Sequence, residues 1–111
     1  MDISNKLRGE FIIDYKGKDI NAVFSMNAIR ILLKGEGIKL ESFDKWVSED
    51  AMTSLPTIAY YSVMNKCVQD GKKFGANKEQ FIAYCLDNND LEKISEAITG
   101  ALEVPASKGK K

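Results

Sequence analysis

The chain has 111 residues, of which 44% are hydrophobic and 29% charged, and its 16 basic and 16 acidic side chains cancel. This length suits one domain with a buried core. Zero net charge disfavours general binding to nucleic acid or to an anionic membrane, since both need an excess of Lys and Arg on one face. The N-terminus has no apolar signal core, and no run approaches the roughly 20 apolar residues of a membrane span. We therefore expect a cytoplasmic protein.

Alternating apolar residues predict a β-hairpin near the start of the chain. The pattern of Phe11, Ile13 and Tyr15 resumes after the pair Gly17-Lys18, which is typical of a two-residue type II′ turn. The predicted cross-strand pairs are Lys16 with Asp19, Tyr15 with Ile20, Ile13 with Ala22, and Phe11 with Phe24. The opposite face of the predicted hairpin carries both polar and apolar residues. A lone hairpin is only marginally stable, so its apolar face should pack on helices.

Helical spacing of apolar residues follows the hairpin. Ser25 is the predicted N-cap of a helix that ends at Gly35-Glu36-Gly37, because Gly tolerates the left-handed geometry of a C-cap. A shorter helix is predicted around residues 42–47. Ser54 and Pro56 then predict the start of the longest helix, since Ser caps a helix and Pro is tolerated in its first turn. Two apolar stripes place this helix at the centre of the bundle.

Two capping signals predict the last helices. Asn77 with Gln80 resembles a capping box, and Asn89 with Glu92 repeats its spacing. We expect Pro105 to stop the terminal helix. The predicted fold is α+β and mostly α, with an N-terminal β-hairpin packed on a bundle of four to five helices. The predicted organisation is a flexible N-terminus at 1–7, a single domain at 8–104 (hairpin 8–25, helical part 26–104) and a disordered basic tail at 105–111.

Side chains suited to catalysis or metal binding are scarce. The chain has no histidine, the commonest general base and the usual zinc ligand. Cys67 and Cys85 stand 18 residues apart, outside any C-x-x-C motif, and are predicted to be buried, reduced thiols. A calcium loop starting at Asp87 would need a ligand at Leu91 and a glycine at Glu92. We therefore predict no enzyme, and no catalytic, cofactor-binding or metal-binding residue.

Two groups of side chains are candidates for binding a partner protein. Tyr60 and Tyr61 belong either to the core or to an interface, where Tyr is enriched among the residues that dominate affinity. The stripe of Ile94, Ile98 and Leu102 on the terminal helix either closes the core or docks on a partner or a second copy of the chain. The sequence leaves both alternatives open for each group.

The order of features resembles small tail assembly chaperones of long-tailed phages and gene-transfer particles. The resemblance begins with Arg8-Gly9-Glu10-Phe11, a hairpin with Gly17, and the segment 24–30. The group has a helix of the type F-x-x-x-A-h-x-x-h-E, where h is apolar, followed by glycine. The matching positions here are Phe24, Ala28, Ile29 and Leu32, with Glu36 and Gly37 close by. A middle helix resembling residues 55–68 and a terminal helix resembling 90–103 complete the outline.

The resemblance implies a non-catalytic protein that binds the tape-measure protein and contacts the tail-tube protein during phage or prophage tail morphogenesis. It also implies self-association, which many members of the group show. Two other functions remain open from the sequence. One is a structural tail-completion or head–tail joining protein, and the other is an unrelated intracellular adaptor or regulatory module.

Overall fold

The structure is a computed structural model that describes the backbone of residues 9 to 108 and the side chains of residues 9 to 100. Within this part of the chain an antiparallel hairpin precedes five helices, which confirms the predicted mostly helical α+β fold. The elements are β1 (Glu10–Tyr15), β2 (Lys18–Val23), α1 (Met26–Glu36), a 3-10 turn (Leu40–Ser42), α2 (Phe43–Glu49), α3 (Ala51–Gln69), α4 (Lys78–Asn88) and α5 (Leu91–Lys108). The predicted flexible segment 1–7 and residues 109–111 of the predicted tail lie outside the described residues.

The hairpin turns one residue earlier than predicted. Lys16 and Gly17 occupy the turn with φ angles of 57° and 83°, the left-handed pair that defines a type I′ turn. The Gly17 N–H donates to Asp14 Oδ1 at 3.0 Å and supports this geometry. The observed partners are Tyr15 with Lys18, Ile13 with Ile20, and Phe11 with Ala22. The predicted register is therefore wrong by two residues, but the faces are right because side chains alternate with a period of two.

Helix α1 follows the predicted boundaries closely. Ser25 is at the N-cap position, and Gly37 ends the helix in the left-handed conformation with φ of 70°. The Ser25 hydroxyl makes no capping bond to its own helix. It accepts instead from the side chain of Asn65 on α3 at 3.1 Å, so its role is tertiary.

Helix α3 is the central element, as predicted, but it begins earlier than expected. It runs from Ala51 with Asp50 at the N-cap, so Ser54 and Pro56 lie inside it. Ser54 Oγ donates to the carbonyl of Val47 on α2 at 2.8 Å rather than capping α3. A proline removes one helical hydrogen bond and costs about 3 kcal/mol, which packing offsets here because the Pro56 ring is almost completely buried.

The last two helices are capped differently from one another. Asn77 caps α4 by accepting from the Gln80 N–H at 3.0 Å, which confirms that part of the predicted capping box. Helix α5 is capped one residue later than predicted, by Asp90 Oδ1, which accepts from the Glu92 N–H at 3.0 Å. The backbone stays helical to Lys108, past Pro105, where the sequence predicts the helix to end. A proline weakens a helix without necessarily stopping it.

The core joins every long element around α3. Among its almost fully buried side chains are Ile13 on β1, Leu32 on α1, Ile58 on α3, Phe81 on α4 and Ile98 on α5. The tip of the hairpin packs on α4 through Tyr15, whose ring lies 5.2 Å from that of Phe81. Among the described helices, none combines the length and the apolar character needed to cross a bilayer.

Candidate protein-binding groove

The outer rim of β1 carries backbone groups that the hairpin itself does not use. The Phe24 N–H donates to the Gly9 carbonyl at 2.8 Å, so these two residues form a hydrogen-bonded pair. Bonded and non-bonded pairs alternate along an antiparallel ladder. Glu10 and Ile12, the first and third residues of β1, therefore lie in non-bonded pairs. Their N–H and C=O groups point away from β2.

At Asp14, the next residue of β1 whose backbone groups point outward, those groups are hydrogen-bonded by a side chain from the turn between α4 and α5. The Asp14 N–H donates to Asn89 Oδ1, and Asn89 Nδ2 donates to the Asp14 carbonyl, both at 2.9 Å. One side-chain amide thus makes the two hydrogen bonds that a neighbouring strand would make. Within residues 9 to 100, no such partner bonds the backbone of Glu10 or Ile12.

A groove of about 640 Å³ lies beside these two residues, between the hairpin and the first turn of α5. Its volume falls within the roughly 300–1,000 Å³ of ordinary ligand sites. The lining residues are Glu10, Phe11, Ile12, Asn21, Ala22, Val23, Lys66, Asn89, Asp90, Lys93 and Ile94. The groove therefore presents strand backbone on one side and helical side chains on the other.

Ile12 gives the groove an exposed apolar side chain, since 61% of its surface is accessible. The other strongly exposed large apolar side chains of the described residues lie on α1, the 3-10 turn and α3, outside the groove lining: Met26, Leu40, Met52 and Val68. The groove lining also includes two acidic residues, Glu10 and Asp90, and two basic residues, Lys66 and Lys93. Backbone hydrogen-bonding groups, one apolar contact and charges of both signs suit a polypeptide better than a polyanion.

Asn65 on α3 anchors the hairpin and the start of α1 through three hydrogen bonds. Its Nδ2 donates to the Val23 carbonyl at 2.9 Å and to Ser25 Oγ at 3.1 Å, and its Oδ1 accepts from Asn27 Nδ2 at 2.8 Å. The amide is fully buried. These bonds fix β2 and the start of α1 on α3, and so hold β1 in place beside α5.

A second polar cluster joins α1, α3 and α4. Glu36 Oε2 accepts from the Tyr61 hydroxyl at 2.9 Å and from Lys78 Nζ at 2.6 Å. Burial, followed by the hydrogen bond to Glu36 and its negative charge, raises the pKa of Tyr61 well above its usual value. The phenol is therefore a neutral hydrogen-bond donor that holds the helices together, and it is a poor base or nucleophile.

Both cysteines are free thiols. Burial raises the pKa of Cys85 to about 11, so its thiol stays protonated near neutral pH and is a poor nucleophile. Cys67 is only half-buried, so the prediction of a buried thiol is correct for Cys85 alone. Among the described residues, no three Cys, Asp or Glu side chains are grouped so that they could hold a metal ion.

The predicted partner-binding residues do not form one surface. Tyr60, Tyr61, Ile94 and Ile98 are all buried in the core of the chain itself. The side chain of Leu102 lies outside the described residues. Use of these residues by a partner stays a prediction, and among the four with described side chains Ile94 alone lines the groove.

Sequence reasoning did not single out Ile12, Glu10 or Asn89 as site residues. The mixed polar and apolar outer face of the hairpin was the one available signal for Ile12 and Glu10, and it is a weak signal because single exposed apolar side chains are common on protein surfaces. Asn89 carries no comparable signal, because its spacing to Glu92 is typical of a capping box. Its bonds to Asp14, 75 residues earlier in the chain, depend on the tertiary structure.

Comparison with known protein-family models, with curated proteins and with solved structures found no match to this chain.

Proposed function

We propose that this chain is a non-catalytic phage tail assembly chaperone that binds the tape-measure protein, and contacts the tail-tube protein, during tail morphogenesis. The groove beside β1 is the observation that carries the proposal, because it offers a polypeptide-binding surface with Ile12 exposed at its rim. The resemblance of residues 8–103 to this group of chaperones supplies the class of partner.

The family-like motif has a structural role in this chain. Its matching residues Phe24, Ala28, Ile29 and Leu32 are all buried where α1 meets the core. Gly37 supplies the left-handed C-cap. The motif thus supports a shared hairpin-to-helix fold, and the groove is the surface on which a chaperone of this fold would hold its client.

Coexpression with the tape-measure protein of the same genome tests the proposal. We expect the two proteins to form a soluble complex that survives size-exclusion chromatography. Ile12→Lys should weaken this complex at least tenfold, because the substitution replaces the apolar contact with a charge. Met52→Lys is the matched control, since Met52 is 66% exposed but lies outside the groove lining.

Two results would contradict the proposal. In the first, the tape-measure protein stays insoluble and unbound in the presence of the wild-type chain. In the second, mass spectrometry finds the chain at stoichiometric amounts in purified particles. That finding would favour a structural component of the virion, because a chaperone leaves before assembly is complete.

A further inference from the structure

We infer that the partner binds as an added antiparallel β-strand on β1, hydrogen-bonded to the backbone of Glu10 and Ile12 and ending at Asn89. The inference rests on the proposed function for the identity of the partner. Its geometry rests on the outward backbone groups of β1 and on the groove beside them. Strand addition is a recurrent way of binding extended peptides, in which the main chain supplies affinity and alternate side chains supply specificity.

Asn89 shows that an amide group can bond the outward backbone groups of β1 as a neighbouring strand would. Its side chain bonds both backbone groups of Asp14 at 2.9 Å. Ile12 and Glu10 repeat the same outward arrangement two and four residues earlier than Asp14, beside the groove. A bound strand can therefore form up to four backbone hydrogen bonds at these two residues. It must stop before Asp14, where Asn89 already occupies its place.

The charges of the groove specify the side chains of the added strand. A residue opposite Glu10 shares its face of the sheet and should be basic, while the residue opposite Ile12 should be apolar. The residue between them is opposite Phe11, which packs towards the core on the helical side. On this helical side Lys66 and Lys93 outnumber Asp90 in the groove lining, so an acidic residue is favoured there. An antiparallel partner strand should therefore carry, from its N-terminal end, an apolar residue, an acidic residue and a basic residue.

A second copy of this chain fits the rim poorly. Antiparallel self-pairing centred on Phe11 would place Glu10 opposite the apolar side chain of Ile12. Self-pairing centred on Ile12 would place Glu10 opposite Asp14, and like charges directly across a sheet are destabilising. It would also require the Asn89 side chain to leave Asp14. Both registers disfavour a second copy, so the proposed occupant is a different polypeptide with the complementary pattern.

Amide hydrogen exchange on the full chain tests this binding mode. The first probe is a synthetic nine-residue peptide with valine, glutamate and lysine, in that order, at its centre. The second probe is the tape-measure protein of the same genome. We expect each probe to slow exchange of the Glu10 and Ile12 amides at least tenfold. The outward amide of Asp19, on the opposite rim of the hairpin, should be unchanged.

Two peptide controls separate strand addition from side-chain binding. Exchanging the central glutamate and lysine should weaken binding, because each charge then meets a like charge. Methylating the peptide nitrogens that face β1 should abolish binding, whereas methylating those that face away should not. Equal binding by both methylated peptides would overturn the inference.

Proline substitutions in the protein also test whether the partner binds by strand addition. Ile12→Pro removes an outward N–H that β2 does not use, and proline is tolerated on edge strands in that position. It should abolish binding of both probes, whereas Asp19→Pro on the opposite rim should not. Circular dichroism verifies that both variants keep their fold, and the exchange experiment on the wild-type chain decides the outcome if either variant unfolds.

The outcomes distinguish the inference from the proposed function. If the tape-measure protein binds while the Glu10 and Ile12 amides exchange as before, strand addition is wrong and the function stands. If the peptide binds and protects these amides while the tape-measure protein does not bind, the function is wrong and strand addition stands. If neither probe binds, both are wrong.

Discussion

Replacement of Asn65 by alanine should destabilise this protein more than alanine replacement of any buried Ser or Thr on α3. The Asn65 amide is fully buried and bonds Val23, Ser25 and Asn27 on two other elements. Alanine removes all three hydrogen bonds and leaves the Val23 carbonyl without this partner in a partly buried position.

The expected loss follows from these contacts. Each hydrogen bond contributes about 1 kcal/mol net, and an unsatisfied buried carbonyl costs about 1–3 kcal/mol. The three bonds together predict a decrease of about 3 kcal/mol in the free energy of unfolding. A domain of this size has only about 5–15 kcal/mol in total, so the loss is easily measured.

Urea denaturation followed by circular dichroism measures the change, and Ser62→Ala is the matched control. Ser62 is also fully buried on α3, one turn earlier, but its hydroxyl donates to the Ile58 carbonyl of the same helix at 2.8 Å. Its loss should cost less than about 1 kcal/mol, because the helix already satisfies that carbonyl. A cost for Asn65→Ala no greater than that for Ser62→Ala would refute the reasoning.

Three further predictions concern the bonds between Asn89 and the Asp14 backbone, the close contact of α1 with α3, and the stability of the protein at alkaline pH. Asn89→Asp should lower the free energy of unfolding by about 1–3 kcal/mol in urea, because a carboxylate oxygen then faces the Asp14 carbonyl. Gly35→Ala should lower the melting temperature, with partial recovery in Gly35→Ala/Tyr61→Phe, since the added Cβ would overlap the Tyr61 hydroxyl and lie 2.9 Å from its Cζ. Between pH 9 and 11 the unfolded thiol of Cys85 loses its proton while the folded one, with its pKa raised to about 11, keeps it. Stability should therefore fall as pH rises, by up to about 3 kcal/mol, and a Cys85→Ala variant should show a shallower fall in urea titrations at these pH values.

Two polar side chains help to define the arrangement around the groove. Asn65 binds the hairpin to α3, and Asn89 joins the rim of β1 to the start of α5. Both are neutral amides that donate and accept at once, which lets Asn89 bond both backbone groups of Asp14 and lets Asn65 join β2 to the start of α1. Their loss should therefore disturb the groove as well as the stability of the chain.

Local periodicity determined much of this protein. The alternation through Phe11 and Ile13 predicts the hairpin and its faces, and the spacing from Met26 predicts α1 to its Gly37 stop. The two apolar stripes of the long helix predict its central place, which ten buried residues on α3 confirm. These features depend on repeats of two or 3.6 residues, which are visible in any short window of sequence.

Contacts between distant segments decided the rest. The hairpin register depends on a turn geometry that two neighbouring positions could both supply, and α3 extends through Pro56 because packing outweighs the lost hydrogen bond. Ser25 and Asn89, placed by the sequence as helix caps, bond partners 40 and 75 residues away. The groove exists only because α5 comes to lie beside β1. No local window contains both elements, so only the tertiary structure could decide where a partner would bind.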